Sequence, residues 1–282
     1  MPQSRQHSTT STPPRKAVIM ARGLGTRLRR PAGADLTEEQ QRIAALGVKA
    51  MMPLGPQGRP FVEHVITALA DAGLTDVCLV IGPEHDLVRE HFEALDTRRV
   101  RLHFAVQDEP LGTADAVAAA REFVGDERFV VVNSDNHYPA TSLRALVCAP
   151  GAATLGFDAA ELVARSNIPA ERVAAFAILR TDEEQHLVDL IEKPSPEVVA
   201  EHGPHALVSM NCFLFGPSVF EACAAIERSP RGEYEIVDAV RHLVASGETV
   251  TVVPVADGVL DMSGRADVAA VTEALADRSV EL

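Results

Sequence analysis

Three arginines and two glycines surround a threonine in MARGLGTRLRR, Met20 to Arg30, although the chain as a whole is acidic. Glycine lets main-chain N–H groups approach an anion, and the planar guanidinium of Arg27 can hold two phosphate oxygens. A tight turn with solvated arginines would give the same pattern, so the G-x-G pair alone does not decide. A Rossmann dinucleotide fingerprint is excluded because Leu28 stands where its third glycine belongs, and no Gly-Lys-Ser/Thr of a Walker loop follows.

Three further polar residues stand where apolar runs end. Gln107, in FAVQDEPLGTADAV, could pair with the edge of a base, and Gly112 would let that base approach the backbone. Asp135 follows VVVNS and Asp261 lies in GVLDMSG, positions where a carboxylate is costly unless it has a metal or a hydrogen-bond partner. Each also has an ordinary interpretation as a loop amide, a helix cap or a turn aspartate. Their joint occurrence favours a site for a nucleotide and a metal.

The segments around these residues alternate between short apolar runs and helical patterns. KAVIMA, DVCLVIG, RLHFAV and RFVVVNSDN predict strands without polar alternation, and segments such as PFVEHVITALADAG and GTADAVAAAREFV predict helices between them. This order is typical of a doubly wound α/β fold, a mostly parallel, Rossmann-like mixed sheet with helices on both faces. After about residue 150, longer apolar runs predict strands added to the sheet and a small elaboration that binds substrate. In parallel sheets ligands lie at the carboxyl ends of the strands, where the glycine loop is expected.

Composition narrows the class of protein. A net charge of −14 over 282 residues disfavours a nucleic-acid or membrane partner, since both require a broad basic face. The four scattered cysteines predict neither disulfides nor a zinc site, and the lack of a long apolar run predicts a cytoplasmic protein. Residues 1–14 are expected to be a disordered arm, followed by one domain over 15–282.

Taken in order, the motifs resemble those of the sugar-phosphate nucleotidylyltransferases, also called nucleotide-sugar pyrophosphorylases. Members of that family carry an apolar strand followed by A-G-x-G-T-R-L, then Lys-x-x-x-Pro, Q-x-x-P-x-G-x-A, a strand-end Asp, Glu-Lys-Pro, G-E-x-E-I-x-D and a final Asp-x-G. The corresponding stretches here are GLGTRL, KAMMP, QDEPLGTADA, VVVNSDN, IEKP, RGEYEIVD and LDMSG, between about Lys16 and about Leu275. The resemblance implies a transfer of a nucleoside monophosphate from a nucleoside triphosphate to a sugar 1-phosphate, which releases pyrophosphate.

The resemblance also implies a role for each matched residue. Nucleotide binding falls to Ala21, Gly23, Leu24, Gly25, Thr26, Gln107, Gly112 and Thr113. Sugar-phosphate binding falls to Glu192, Lys193, Asn211 and Arg231, within a sugar-phosphate part over about 151–282 that follows a nucleotide part over about 15–150. Arg27, Lys49 and Lys193 would act in catalysis, and Asp135 and Asp261 would bind Mg²⁺.

Several alternatives stay open. Arg22 stands where the family has a small residue, and its guanidinium could bind substrate or, as we favour, pair with a nearby acid. The helical insertion TEEQQRIAALG could form a lid or a contact in a homo-oligomer, and His137 and Tyr138 could face the sugar or lie at the rim. The expected base is uracil or thymine, but ATP, GTP or a cyclitol phosphate would suit the same motifs. A metal-dependent glycosyltransferase, a non-catalytic nucleotide-sugar-binding homologue and an oxidoreductase are the competing functions.

Overall fold

The fold is taken from a computed structural model, which describes residues 13–23, 25–30, 36–55 and 57–282. The predicted N-terminal arm, apart from Pro13 and Pro14, and the predicted nucleotide contact Leu24 lie outside the described residues. Within the described part of the chain, no helix is long and apolar enough to cross a membrane.

The described residues form fourteen strands in one large and two small sheets. The strands are β1 (Lys16–Met20), β2 (Pro53–Leu54), β3 (Arg59–Pro60), β4 (Asp76–Ile81), β5 (Arg101–Val106), β6 (Phe129–Asn133), β7 (Asn136–His137), β8 (Ala152–Asp158), β9 (Ile178–Thr181), β10 (Leu187–Ile191), β11 (Leu207–Val208), β12 (Phe213–Phe215), β13 (Val250–Val255) and β14 (Leu260–Asp261).

Thirteen α-helices and one 3₁₀ helix connect these strands within the described ranges. The helices are α1 (Thr26–Arg29), α2 (Glu38–Leu46), the 3₁₀ helix Lys49–Met51, α3 (Phe61–Asp71), α4 (Asp86–Glu93), α5 (Thr113–Ala119), α6 (Arg121–Val124), α7 (Ala140–Val147), α8 (Ala159–Arg165), α9 (Ala170–Val173), α10 (Pro196–His202), α11 (Ser218–Ala225), α12 (Ile236–Ala245) and α13 (Asp267–Leu275).

The large sheet has a parallel core, as the apolar runs predict. Its order is β10-β9-β11-β8-β12-β6-β1-β4-β5, with β13 paired to β8. β1 lies parallel between β4 and β6, and β5 is parallel to β4. Alternate residues of β1 enter different cores: Ala17 and Ile19 pack on one face of the sheet, and Val18 and Met20 pack on the other. Burial on both faces explains why these strands lack polar alternation.

Helices cover both faces of this sheet, which confirms the doubly wound fold. Residues of α3, α4 and α7 join the core on the first face, and residues of α5, α11 and α12 join the core on the second face. The predicted helix GTADAVAAAREFV is divided at Ala120 into α5 and α6. The predicted run ALVSMNCFLFG is divided into β11 and β12, and Asn211 between them has a left-handed φ of 56°.

The later strands extend the same sheet in mixed directions. β12 pairs antiparallel with both β6 and β8, and β13 pairs parallel with β8. The sheet is therefore continuous across residue 150, where the nucleotide and sugar-phosphate parts were expected to meet. Those parts stay a prediction about function and correspond to no break in the sheet.

A small sheet outside the large one brings the two predicted metal ligands together. Antiparallel pairing of β7 with β14 sets Asn136 opposite Asp261 and His137 opposite Leu260. The main-chain N–H of Met262 donates to the carbonyl of Asp135 at 2.8 Å. Asp135 directly precedes β7 and Asp261 ends β14, so this pairing places residues 126 positions apart in sequence side by side.

Candidate active site

A cleft of about 580 Å³ lies where the loops after β1, β5 and β6 meet. Most of the predicted site residues line it, although they come from segments spread over the whole chain. They are Ala21, Gly23, Gly25, Thr26, Arg27, Lys49, Gln107, Gly112, Thr113, Asp135, Asn211, Arg231 and Asp261. Their roles in binding and catalysis stay predictions.

The glycine loop is shaped by Gly25, which precedes α1. Gly25 has φ 58° and ψ 24°, a left-handed conformation that favours glycine, and a Cβ there would collide with the Gly47 carbonyl. Gly47 is the C-cap of the inserted helix α2, also left-handed at φ 78°. Arg29 donates through Nη2 to the carbonyl of Leu46 at 2.9 Å. The end of the inserted helix therefore packs against the glycine loop. The helix predicted for this insertion is confirmed.

The side chain of Arg27 has no partner in the described part of the chain. The side chain is exposed, lines the cleft and makes no hydrogen bond or ion pair with any described residue. Its guanidinium is available to an anionic ligand, since none of the described carboxylates pairs with it.

Arg22 occupies a structural position, as we predicted. Its guanidinium contacts Glu84 through Nε at 3.3 Å and Nη2 at 3.2 Å, and Nη1 donates to the carbonyl of Gln107. The side chain is only 7% exposed. Because these partners follow β4 and β5, Arg22 ties the ends of three neighbouring strands together.

The predicted base site is built from two loops that are distant in sequence. Gln107 is 4% exposed, and its Nε2 donates to the carbonyl of Gly112 at 3.0 Å and to Asp115 Oδ2 at 2.7 Å. Gly112 has φ 112°, and a Cβ there would collide with the backbone of Tyr234. Two main-chain hydrogen bonds, from Ala114 to Tyr234 and from Tyr234 to Leu111, join the loops. Gly112 therefore permits a close contact between loops, a requirement the sequence did not reveal.

Thr113 also has a structural partner. Its Oγ1 accepts a hydrogen bond from the N–H of Ile236 at 2.8 Å, at the start of α12. This contact fastens the beginning of α5 to α12 on the wall of the cleft.

The predicted metal ligands lie in a charged cluster. Lys49 Nζ contacts Asp135 Oδ2 at 2.8 Å. Asp261 is 7% exposed; Asn136 donates to its Oδ2 at 3.1 Å, and Oδ1 is buried without a hydrogen-bond partner. Burial, reinforced by the nearby charge of Asp135, raises the pKa of Asp261 above its usual range. Arg172 Nη2 approaches Asp261 Oδ1 at 3.4 Å.

These residues fit a divalent cation. Carboxylate oxygens are the ligands that Mg²⁺ prefers, and the buried Oδ1 of Asp261 accepts no hydrogen bond from the described residues, although Arg172 Nη2 lies 3.4 Å from it. The two neighbouring carboxylates, Asp135 and Asp261, repel each other, and a cation between them would relieve that repulsion.

The predicted sugar-phosphate residues are only partly brought together. Arg231 Nη2 pairs with Glu235 Oε1 at 2.8 Å, and burial raises the pKa of Glu235. Glu192 pairs with Arg241 at 3.2 Å. Arg231 and Asn211 line the cleft. Glu192 and the exposed Lys193 follow β10 and are not among the residues that line it.

The sequence interpretation missed some residues at the site, and its expectation for the positions of His137 and Tyr138 was wrong. Glu233 and Glu235 line the cleft and stand in the motif RGEYEIVD, which could have identified them. Arg172, on the four-residue helix α9, carried no motif signal. Tyr138 neither faces a sugar nor lies at the rim, because it is 1% exposed and donates to the carbonyl of Met210 at 2.6 Å. His137, 6% exposed, is likewise buried.

Comparison with known proteins places this cleft in a family. The Nucleotidyl transferase family matches residues 16–258. The UTP–glucose-1-phosphate uridylyltransferase AglF of Haloferax volcanii is 29% identical over 247 residues, which cover 88% of this chain and 90% of AglF. The low-salt glycan biosynthesis nucleotidyltransferase Agl11 of the same organism is 28% identical over 242 residues, 83% of this chain. The match spans only 58% of Agl11, so this chain corresponds to part of that relative.

A solved structure supports the fold independently. A UDP-glucose pyrophosphorylase crystallised with UDP-glucose superposes with a TM-score of 0.71 at 17% identity, covering 94% of this chain and all of that one. The Rossmann-like fold predicted from the sequence is confirmed. With the family match extending from β1 past β13, the chain belongs to the nucleotidyl transferase family.

Proposed function

We propose that this chain transfers a nucleoside monophosphate from UTP or dTTP to a sugar 1-phosphate and releases pyrophosphate. The observation that carries the proposal is the content of one cleft: a glycine loop with the unpaired Arg27, the buried amide of Gln107, and the carboxylates of Asp135 and Asp261. AglF, one of the relatives, is named for this type of reaction, with UTP and glucose 1-phosphate as substrates. The particular sugar is outside the proposal.

The reaction requires positioning and charge neutralisation more than a protein nucleophile. An oxygen of the sugar phosphate attacks the α-phosphorus in line, its bond to phosphorus forms, and the bond to the pyrophosphate oxygen breaks. Arg27, on the short helix α1 after β1, stabilises the negative charge that collects on the leaving pyrophosphate. Lys49 lines the same cleft and supplies a second positive charge, next to Asp135. Neither residue has to gain or lose a proton.

Enzymes of this family generally use a divalent metal. Asp135 and Asp261 would hold Mg²⁺, which when bound neutralises phosphate charge. Lys49 and Arg172 contact these two carboxylates and reduce their repulsion. The two basic side chains therefore keep the carboxylates close together before substrate binds.

Base choice depends on Gln107 and the backbone beside it. A glutamine amide and a nearby main-chain N–H can match the alternating acceptors and N–H of a pyrimidine imide edge. Gly112 lines the cleft next to Gln107, and its N–H has no acceptor among the described residues. Uracil and thymine present the same imide edge, so UTP and dTTP are proposed together.

Purified protein with Mg²⁺, five nucleoside triphosphates and a panel of sugar 1-phosphates tests the proposal, with pyrophosphate release as the readout. We expect turnover with UTP or dTTP, and a hundred- to thousandfold loss of kcat, corresponding to about 2.7 to 4 kcal/mol, in Arg27→Ala. Arg30→Ala is the matched control, since Arg30 is also exposed but does not line the cleft. Tight nucleotide binding without turnover on any sugar phosphate would support a non-catalytic binding protein instead.

A further inference from the structure

The amide of Gln107 is held from one side by two acceptors. Its Nε2 lies 3.0 Å from the carbonyl oxygen of Gly112 and 2.7 Å from Oδ2 of Asp115. A carbonyl and a carboxylate both lack a proton to donate, so the atom facing them must be the NH₂ group. Turning the amide by 180° would set its oxygen against two other oxygens. Chemistry therefore fixes the orientation that distances alone leave ambiguous.

The fixed amide leaves one group for a ligand. Oε1 of Gln107 accepts no hydrogen bond from any described residue. It is also not among the buried side-chain atoms that lack a partner, so it is not closed off from the cleft. Gln107 lines the cleft. The side chain therefore offers an acceptor to the cleft, while both of its donor hydrogens are directed to protein.

The two acceptors are themselves held in place. Asp115 lies in the first turn of α5 and is half-buried. The Gly112 carbonyl also accepts from the N–H of Ala116 at 3.1 Å, and the same first turn is fastened by the bond from the N–H of Ala114 to the carbonyl of Tyr234 at 2.9 Å. The beginning of α5 thus forms a rigid support for the amide.

We propose that Asp115 is a positioning residue for base selection, which fixes Gln107 as an acceptor and so favours nucleotides whose base presents a ring N–H. The inference rests on the proposed function and adds to it the residue that sets the amide. Uracil and thymine have such a donor at N3, whereas cytosine has an acceptor at N3 and adenine has one at N1. A glutamine that could turn freely would pair with either kind of edge, as in its two-bond contact with adenine.

Two substitutions at one position separate this role from a structural one. In Asp115→Ala only the Gly112 carbonyl still holds the amide, and water, which can donate or accept, fills the space left by the carboxylate, so Gln107 can turn more easily. We expect the ratio of kcat/KM for UTP over CTP to fall roughly tenfold, the scale of one good base-edge contact. Asp115→Asn keeps a carbonyl oxygen at the same place and is expected to retain the ratio within about threefold. Glu122→Ala, on α6, is the matched surface control.

The same ratio is measured a second way, from the Kd of UTP and CTP by titration, with Tm recorded for each variant. If no nucleotide is turned over but the Kd ratio falls in Asp115→Ala and is kept in Asp115→Asn, the proposed function fails and the inference stands. A wild-type protein that binds UTP and CTP equally would overturn the inference. So would an Asp115→Ala variant that loses activity or Tm while keeping the wild-type ratio, because that is the behaviour of a purely structural residue.

Discussion

Replacing Arg22 with alanine would remove the guanidinium that ties three strand ends together at the wall of the cleft. The side chain is 7% exposed and bonds to the carbonyl of Gln107 and to Glu84. Loss of the charge-assisted bond to the buried carbonyl should cost about 1.5 to 3 kcal/mol. Glu84 is 52% exposed, so the ion pair should add only about 0.2 to 1 kcal/mol. We therefore expect Arg22→Ala to lower the free energy of unfolding by about 2 to 4 kcal/mol.

Urea unfolding and thermal melting measure this loss directly. For a domain of this size, a loss of about 2 kcal/mol lowers Tm by about 3 to 4 °C. Glu84→Gln should cost less than about 1 kcal/mol, because it removes only the exposed partner. Since Arg22 also holds the backbone of Gln107, Arg22→Ala should raise the KM for the nucleoside triphosphate and leave that for the sugar phosphate nearly unchanged.

Two results would refute this reasoning. Arg22→Ala with wild-type stability and a large loss of nucleotide affinity would make Arg22 a phosphate ligand, the substrate-binding alternative that its position in the sequence allows. Equal stability loss in Arg22→Ala and Glu84→Gln would show that the exposed ion pair, and not the Gln107 carbonyl, carries the energy.

Gly25→Ala adds left-handed strain of about 1 to 2 kcal/mol and a collision with the Gly47 carbonyl, so nucleotide affinity measured by titration should fall at least about tenfold. Gly151→Ala, at φ 62° in open space, has a positive φ without a collision and should leave that affinity unchanged. Asp261→Asn should lower kcat by roughly two to four decades without unfolding the protein, with Asp126→Asn as the exposed control, and undiminished wild-type turnover in excess chelator would contradict the metal assignment. Burial lowers the pKa of His85 in the folded protein below its ordinary value of 6.5. The unfolded chain therefore binds more protons at this residue, and the free energy of unfolding should fall as the pH drops from 6.5 towards the folded-state pKa. Urea midpoints between pH 7 and pH 4 should therefore depend less on pH in His85→Asn, and an unchanged dependence would exclude His85 as a source.

Local features of the sequence were sufficient to predict most of the fold and many of the residues that line the cleft. Continuous apolar runs predicted the parallel core because strands buried on both faces exclude polar residues, and β1 does enter both cores. The position of the glycine loop followed from the same run, since ligand loops come after parallel strands. The breaks at Ala120 and Asn211 were not predicted, because a continuous apolar pattern gives no sign of where backbone geometry interrupts it.

The sequence by itself determined the family, the alternation of strands and helices near the N-terminus and the segments that reach the cleft, because these depend on residue types over short stretches. Only the tertiary structure decided which side chains meet: Lys49 with Asp135, Asp115 with Gln107, and Gly112 with the backbone of Tyr234. It also decided that Glu192 and Lys193, although they match a family motif, do not line the cleft. Some of these contacts join segments that are more than a hundred residues apart in the sequence. They are set by sheet register and loop packing, and a local sequence pattern contains no information about either.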